Sequence, residues 1–205
     1  MRLGVFGGAF DPIHNGHLLL AEQCREQCQL DEVWFVPTKF PPHKDADSLS
    51  PDADRVEMLK LATAGRSEFV VSEIELNREE VSWTVDTLRQ LREERPDDEL
   101  FLLIGADSLR DFPTWKEPEA IAELASVIAV NRGEASLEEL TAEELTVDLS
   151  PKLSDIVQLV TMPGISISAT DLRRRVSDGK SIRYLVPRAV EEFIQSRALF
   201  RGITS

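Results

Sequence analysis

The residues best suited to chemistry lie in one stretch, Gly7-Gly8-Ala9-Phe10-Asp11-Pro12-Ile13-His14-Asn15-Gly16-His17. It follows a short apolar run and opens a segment with helical periodicity. Two glycines let the backbone turn tightly and approach a ligand closely. The N–H groups and dipole at a helix start favour a phosphate. His14 and His17 are spaced to share a face of the first turn, where two imidazoles can donate hydrogen bonds to phosphate oxygens. Gly16 between them omits a side chain that would block access. The pattern is not a P-loop, because no Gly-Lys-Ser/Thr follows, and it is not a dinucleotide fingerprint. An ordinary strand–turn–helix junction would account for one histidine, not for a pair flanking a glycine.

Two further segments can add charge. Thr38-Lys39-Phe40-Pro41-Pro42-His43-Lys44 is locally cationic, is stiffened by its prolines and carries the last of the three histidines. It suits a clamp on a second phosphate, or simply a solvated loop. Ser166-Ile167-Ser168-Ala169-Thr170-Asp171-Leu172-Arg173-Arg174-Arg175 opens a helix. Either Ser168 or Thr170 can cap it, and Arg173 falls one turn beyond Thr170 on the same face. Arginine gives forked, permanently charged contacts to phosphate. Three adjacent arginines point in different directions, so one or two at most serve a site.

These segments need a frame. Continuous apolar runs at 3–6, 32–36, 69–71, 100–104, 126–130 and 156–160 predict strands. Helical patterns at 17–27, 51–64, 82–94, 117–124, 170–176 and 187–196 alternate with them, with Ser50 as the expected cap of the second. The expected fold is α/β, a doubly wound, mostly parallel, Rossmann-like sheet covered on both faces. A single domain over 1–205 is expected, with a variable surface excursion at about 133–155 and closing helices over about 170–205. In such sheets ligands sit at the carboxyl ends of the strands, near the switch in strand order. All three segments fall at such ends.

Composition narrows the partners. With 23 basic and 37 acidic residues the net charge is −14, which repels polynucleotides. Nucleic acid is therefore not expected, whereas a small anion in a local basic pocket is. The longest uncharged run, 156–170, is broken by Pro163-Gly164. It falls short of the roughly 18–20 residues of a membrane span, so no membrane association is expected. Cys24 and Cys28 lie on one helical stripe with no nearby His or Cys to complete a tetrahedral site. They are read as buried thiols in a reducing cytoplasm.

Gly-Gly-x-Phe-Asp-Pro-x-His-x-Gly-His together with Ile-Ser-x-Thr-x-x-Arg resembles the motif pair of the nucleotidyltransferase superfamily of α/β phosphodiesterases. Four more stretches make the chain similar to the bacterial nicotinate-nucleotide adenylyltransferases. They are Pro41-Pro42-His43-Lys44, Ser82-Trp83-Thr84-Val85-Asp86-Thr87-Leu88, Ile104-Gly105-Ala106-Asp107-Ser108 and Lys180-Ser181-Ile182-Arg183-Tyr184-Leu185-Val186-Pro187. The resemblance spans nearly the whole chain except about 133–155.

That resemblance implies adenylyl transfer from ATP to nicotinic acid mononucleotide, releasing pyrophosphate. The mononucleotide phosphate is itself the nucleophile, so positioning and charge stabilisation would carry catalysis. By resemblance His14 and His17 hold the ATP phosphates and the transition-state charge. Arg173, Ser168 and Thr170 hold the departing pyrophosphate. Gly7, Gly8, Ala9, Phe10 and Gly16 shape the phosphate cradle, and Gly105 and Asp107 face the ribose. Lys39, His43 and Lys44 approach the mononucleotide phosphate, and Thr84 and Trp115 resemble the nicotinate pocket. Mg²⁺ is expected on the ATP phosphates, with no metal ligands from the protein. A homo-oligomer is compatible with the resemblance.

Two positions depart from the pattern. Ala169 stands where a second serine is usual, and Asn131-Arg132-Gly133 stands where Arg-Pro-Gly is common. The competing readings are transfer to nicotinamide mononucleotide or phosphopantetheine and, more remotely, a nucleotide-binding module without catalysis.

Overall fold

The computed structural model describes residues 1–40, 49–131 and 155–202. Among these, six strands form one sheet: β1 (Arg2–Gly8), β2 (Glu32–Pro37), β3 (Phe69–Val71), β4 (Glu99–Gly105), β5 (Ser126–Asn131) and β6 (Val157–Thr161). Their order is β3-β2-β1-β4-β5-β6, and every pairing is parallel. The chain steps outward from β1 to β3, returns to β4 on the other side of β1, and steps outward again. The order therefore switches between β1 and β4, where a doubly wound sheet opens its crevice.

The helices are α1 (Asn15–Gln27), α2 (Asp52–Thr63), α3 (Thr84–Glu94), α4 (Ala106–Asp111), α5 (Pro118–Leu124), α6 (Ala169–Ser177) and α7 (Arg188–Ser196). Strand side chains alternate between two cores because successive residues face opposite ways. Phe6, Phe101, Leu103, Ile128 and Val130 join Leu20, Met58, Leu172 and Ile194, so α1, α2, α6 and α7 cover that face. Leu3, Val5, Leu102, Ile104 and Val127 join Val85, Leu88, Leu109 and Ile121 from α3, α4 and α5 on the other. Burial on both faces explains the unbroken apolar runs. Val85, Leu88 and Leu91 repeat at helical spacing and are fully buried, each stabilising the packing by about 1.5–3 kcal/mol.

Some local expectations are corrected. Ser50 does not cap α2; Pro51 occupies that position with no side-chain bond. The backbone of Ser50 is instead engaged with Asp11 and Arg55. Helix α3 starts at Thr84, because the Ser82 hydroxyl accepts the backbone N–H groups of Lys39 and Phe40. The short helix α4 had no counterpart in the sequence reading; six residues are too few for periodicity to reveal. Residues 133–154 of the expected excursion lie outside the described residues. Cys24 is buried and Cys28 half-buried, and both are free thiols. Burial pushes both thiols up, Cys24 far more strongly.

Candidate active site

The carboxyl end of β1 runs into the turn that opens α1. A Cβ on Gly8 would meet the Phe10 ring at 3.1 Å, whereas one on Gly7 would meet nothing within 4 Å. The first glycine thus leaves open space at the strand end, and the second admits the Phe10 ring. Phe10 adopts φ 48°, a left-handed conformation that costs a non-glycine residue about 1–2 kcal/mol. Its ring is 2 % exposed and packs edge-on against Phe6, Phe35 and His17, with centroids at 5.4, 5.7 and 5.2 Å. That burial offsets the strain and fixes the turn.

His14 is the N-cap of α1 and His17 is its third residue. The backbone N–H of His17 donates to His14 Nδ1, and that of His14 donates to His17 Nδ1, both at 3.3 Å. This is a reciprocal capping box made by two imidazoles instead of the usual Ser/Thr and Glu. It has a chemical consequence. An Nδ1 that accepts an N–H carries no proton, so both neutral rings are assigned the Nε2–H tautomer. The rings stack with centroids 3.6 Å apart and planes 18° from parallel. One device therefore caps the helix, aligns the rings and fixes which nitrogen donates. Gly16 serves it directly, since a Cβ there would meet His14 Nδ1 at 3.1 Å and Cε1 at 3.2 Å. The glycine is needed to let the His14 ring fold over the helix start.

Helix α6 brings the third basic group. Ser168 is its cap and accepts the Asp171 N–H at 3.1 Å. Arg173 Nη1 donates to the Asp11 carbonyl at 2.7 Å, and Nη2 to the Thr170 hydroxyl at 3.3 Å. The fork is thereby clamped onto the turn that precedes His14. Its neighbours point elsewhere: Arg174 pairs with Asp171, and Arg175 donates to the Ser181 carbonyl. Ser168 and Thr170 are exposed at the helix start. Ala169 is the first helical residue and offers no hydroxyl.

Across the crevice, Gly105 ends β4 and caps α4, with Asp107 in the first turn. Thr84 begins α3 after Trp83, and Trp115 follows the short 3₁₀ turn Phe112–Thr114. Lys116 ties these together, binding Asp86 at 2.9 Å and lying 5.4 Å from the Trp83 ring centroid. Trp83 and Trp115 are both half-buried against the second core. Lys39 donates its ammonium to the Arg78 carbonyl at 2.8 Å. An ammonium has three donors, so this bond does not exhaust it. His43 and Lys44 lie outside the described residues.

Sequence reasoning missed Asp11, Arg55 and Glu75. Arg55 is fully buried and donates to the Ala9 and Ser50 carbonyls at 2.8 and 3.2 Å. It pins the turn that follows β1. Asp11 is 1 % exposed and accepts the Ser50 N–H at 3.1 Å. Nothing in a polar helical pattern distinguishes a buried arginine from a surface one; the Asp-Pro inside the glycine turn was the one available hint for Asp11. Among the described residues no group of three or more His, Cys, Asp or Glu is arranged to hold a metal.

Comparison with known proteins agrees with this geometry. A family model described as cytidylyltransferase-like matches residues 5–175. A protein of Thermomicrobium roseum named probable nicotinate-nucleotide adenylyltransferase is 46% identical, over 98% of this chain and 92% of its own. One of Thermus thermophilus with the same name is 46% identical, over 98% of this chain and 100% of its own. A solved structure of Plasmodium falciparum nicotinic acid mononucleotide adenylyltransferase complexed with NaAD aligns with a TM-score of 0.79 at 21% identity, covering 97% of each chain. That last likeness is one of fold. The turn, the histidine pair and the clamped arginine all fall within the matched residues, and the chain belongs to the cytidylyltransferase-like family, in its nicotinate-nucleotide adenylyltransferase branch.

Proposed function

We propose that the chain transfers the adenylyl group of ATP to nicotinic acid mononucleotide. A 5′-phosphate oxygen of the mononucleotide attacks the α-phosphorus of ATP. The bond from that phosphorus to the bridging oxygen breaks, and pyrophosphate leaves with the electron pair. The products are nicotinic acid adenine dinucleotide and pyrophosphate. The attacking phosphate is already an anion near neutral pH, so no general base is required. The observation that carries the reading is the stacked His14–His17 pair, held in one tautomer beside the clamped Arg173.

His14 and His17 present Nε2–H donors to the phosphate oxygens where charge builds up. A donor fixed in advance has no reorganisation to undergo during reaction. Arg173, Ser168 and Thr170 receive the pyrophosphate. Gly7, Gly8 and the Ala9–Phe10 backbone cradle the phosphates, with Gly16 giving clearance. Gly105 and Asp107 face the ribose. ATP enters as its Mg²⁺ complex, and the ion keeps most of its ligands from phosphate and water. Thr84 and Trp115 receive the pyridine ring, with Lys39, His43 and Lys44 toward the mononucleotide phosphate. A carboxylate suits hydroxyl and N–H donors, whereas an amide would turn its NH₂ toward them. Free thiols at Cys24 and Cys28 fit a reducing cytoplasm.

The test is pyrophosphate release from ATP and Mg²⁺ with nicotinic acid mononucleotide, the amide mononucleotide and phosphopantetheine in parallel. Strong turnover with the acid and little with the others supports the reading. Preference for either of the others overturns the acceptor and keeps the histidine mechanism. No release with any acceptor overturns catalysis itself.

A further inference from the structure

We propose that Glu75 is the positioning residue of the acceptor half of the site, fastening together the segments that frame Thr84. This rests on the reading that the mononucleotide is received there. Glu75 lies in the connection between β3 and α3, a stretch otherwise rich in exposed polar residues, yet it is 5 % exposed. A carboxylate is costly to bury unless hydrogen bonds compensate it.

The groups around it come from three separate segments. Glu75 Oε1 accepts the Thr87 hydroxyl at 2.7 Å. Thr87, itself 2 % exposed, accepts Arg78 Nη1 at 3.0 Å, so a guanidinium, a hydroxyl and a carboxylate stand in line. The hydroxyls of Ser82 and Thr38 lie close enough to the same carboxylate to favour its charge, while its other oxygen, Oε2, is buried without a hydrogen-bond partner. Ser82 Oγ in turn accepts the Lys39 and Phe40 N–H groups at 3.3 and 3.4 Å. Ser82 N–H donates to the Phe40 carbonyl at 3.0 Å, and Lys39 Nζ to the Arg78 carbonyl at 2.8 Å. One carboxylate, bonded to Thr87 and faced by the Ser82 and Thr38 hydroxyls, thus stands where the exit of β2, the turn before α3 and the first turn of α3 are held to one another.

The position of this knot gives it a specific role. Thr84 stands between Ser82 and Thr87, two of its members. The ATP side is fastened by other groups: His14 and His17 by each other, and Arg173 by Asp11 and Thr170. Loosening Glu75 therefore loosens the acceptor pocket and leaves the phosphate cradle in place. Burial pushes the Glu75 carboxyl up, against the hydrogen bonds that favour its charge. The neutral, equally shaped glutamine is consequently a mild change, while alanine empties the knot.

The experiment measures kcat and both KM values for Glu75→Ala and Glu75→Gln beside the wild type, with melting temperature recorded for each. For Glu75→Ala the acceptor KM should rise about tenfold or more, with the ATP KM within about twofold of wild type. Glu75→Gln should restore the acceptor KM to within about threefold. Should the alanine variant not fold, Thr87→Val removes the hydroxyl on Oε1 while keeping the side-chain shape, and should show the same one-sided rise. A fall in melting temperature with both KM values unchanged would make Glu75 a stability residue only and overturn the proposal. So would equal rises in both KM values. The wild-type assay offers all three acceptors, and the KM split is read with the one it uses. Failure of the nicotinic acid reading then shows in the wild type, and failure of this proposal in the variants.

Discussion

Gly16→Ala separates the geometry of the histidine pair from the stability of the helix. The added methyl would lie 3.1 Å from His14 Nδ1 and 3.2 Å from Cε1, so the ring must move by a few tenths of an ångström. The His17 N–H to His14 Nδ1 bond is already long at 3.3 Å. It already lies just beyond the roughly 3.2 Å upper bound of a good N–H bond, and the shift carries it toward none at all. Loss of the cap costs about 1 kcal/mol, while Gly→Ala inside a helix returns about 0.5–1 kcal/mol. The two nearly cancel, so the melting temperature should move by less than about 3 °C for a chain of this size. The rate should not be spared. Removing one preorganised donor costs about 10²–10³ in kcat, and partial misalignment should cost about 10–100-fold. Pyrophosphate release at saturating ATP and mononucleotide, with thermal unfolding on the same sample, measures both. A kcat within about threefold of wild type at an unchanged melting temperature would refute the idea that Gly16 clearance sets the His14 ring.

Other outcomes are expected. Arg173→Lys keeps the charge but cannot bridge the Asp11 carbonyl and Thr170 together; kcat/KM for ATP should fall about 10–100-fold in steady-state assays. Glu22 is pulled two ways: burial raises its pKa, but hydrogen bonds from Arg25 and Arg66 prevail and lower it. A depressed carboxylate contributes stability above its unfolded pKa and loses it as pH falls through the folded value. Glu22→Gln should therefore destabilise by up to about 1 kcal/mol at pH 7, with the difference from wild type in denaturant midpoint closing in acid below that range. Cys24, buried with its thiol held protonated, should resist alkylation in the native enzyme and react on denaturation, as timed mass spectrometry would show.

The sheet was legible because its strands are uninterrupted apolar runs, and each of the six strand expectations overlaps a strand of the structure. The turn between β1 and α1 was legible because glycine and histidine have distinct chemistries at that spacing. What the histidines do for each other was not. Histidine is not among the residues expected to cap helices, so Nδ1 of His14 and of His17 as cap acceptors emerges only with the fold. The buried charges were hidden for a related reason. Arg55 stands in the polar run Asp52-Ala53-Asp54-Arg55, and Glu75 falls on the polar side of the alternation Glu73-Ile74-Glu75-Leu76-Asn77. Local pattern assigns all of these to solvent; burial depends on what distant segments bring. The cap of α2 and the start of α3 were misplaced because Ser50 and Ser82 bond across the fold rather than to the helix beside them.

The clamp between Arg173 and the Asp11 carbonyl spans 162 positions of chain. A ribosome adding about 5–20 residues per second takes roughly 8–32 s to cover that distance. Through nearly all of that interval the growing polypeptide already carries both histidines but lacks the guanidinium that is clamped to the turn before them. A stop between His17 and Arg173 therefore releases a product that carries the histidine motif without the clamp that fastens the turn before it.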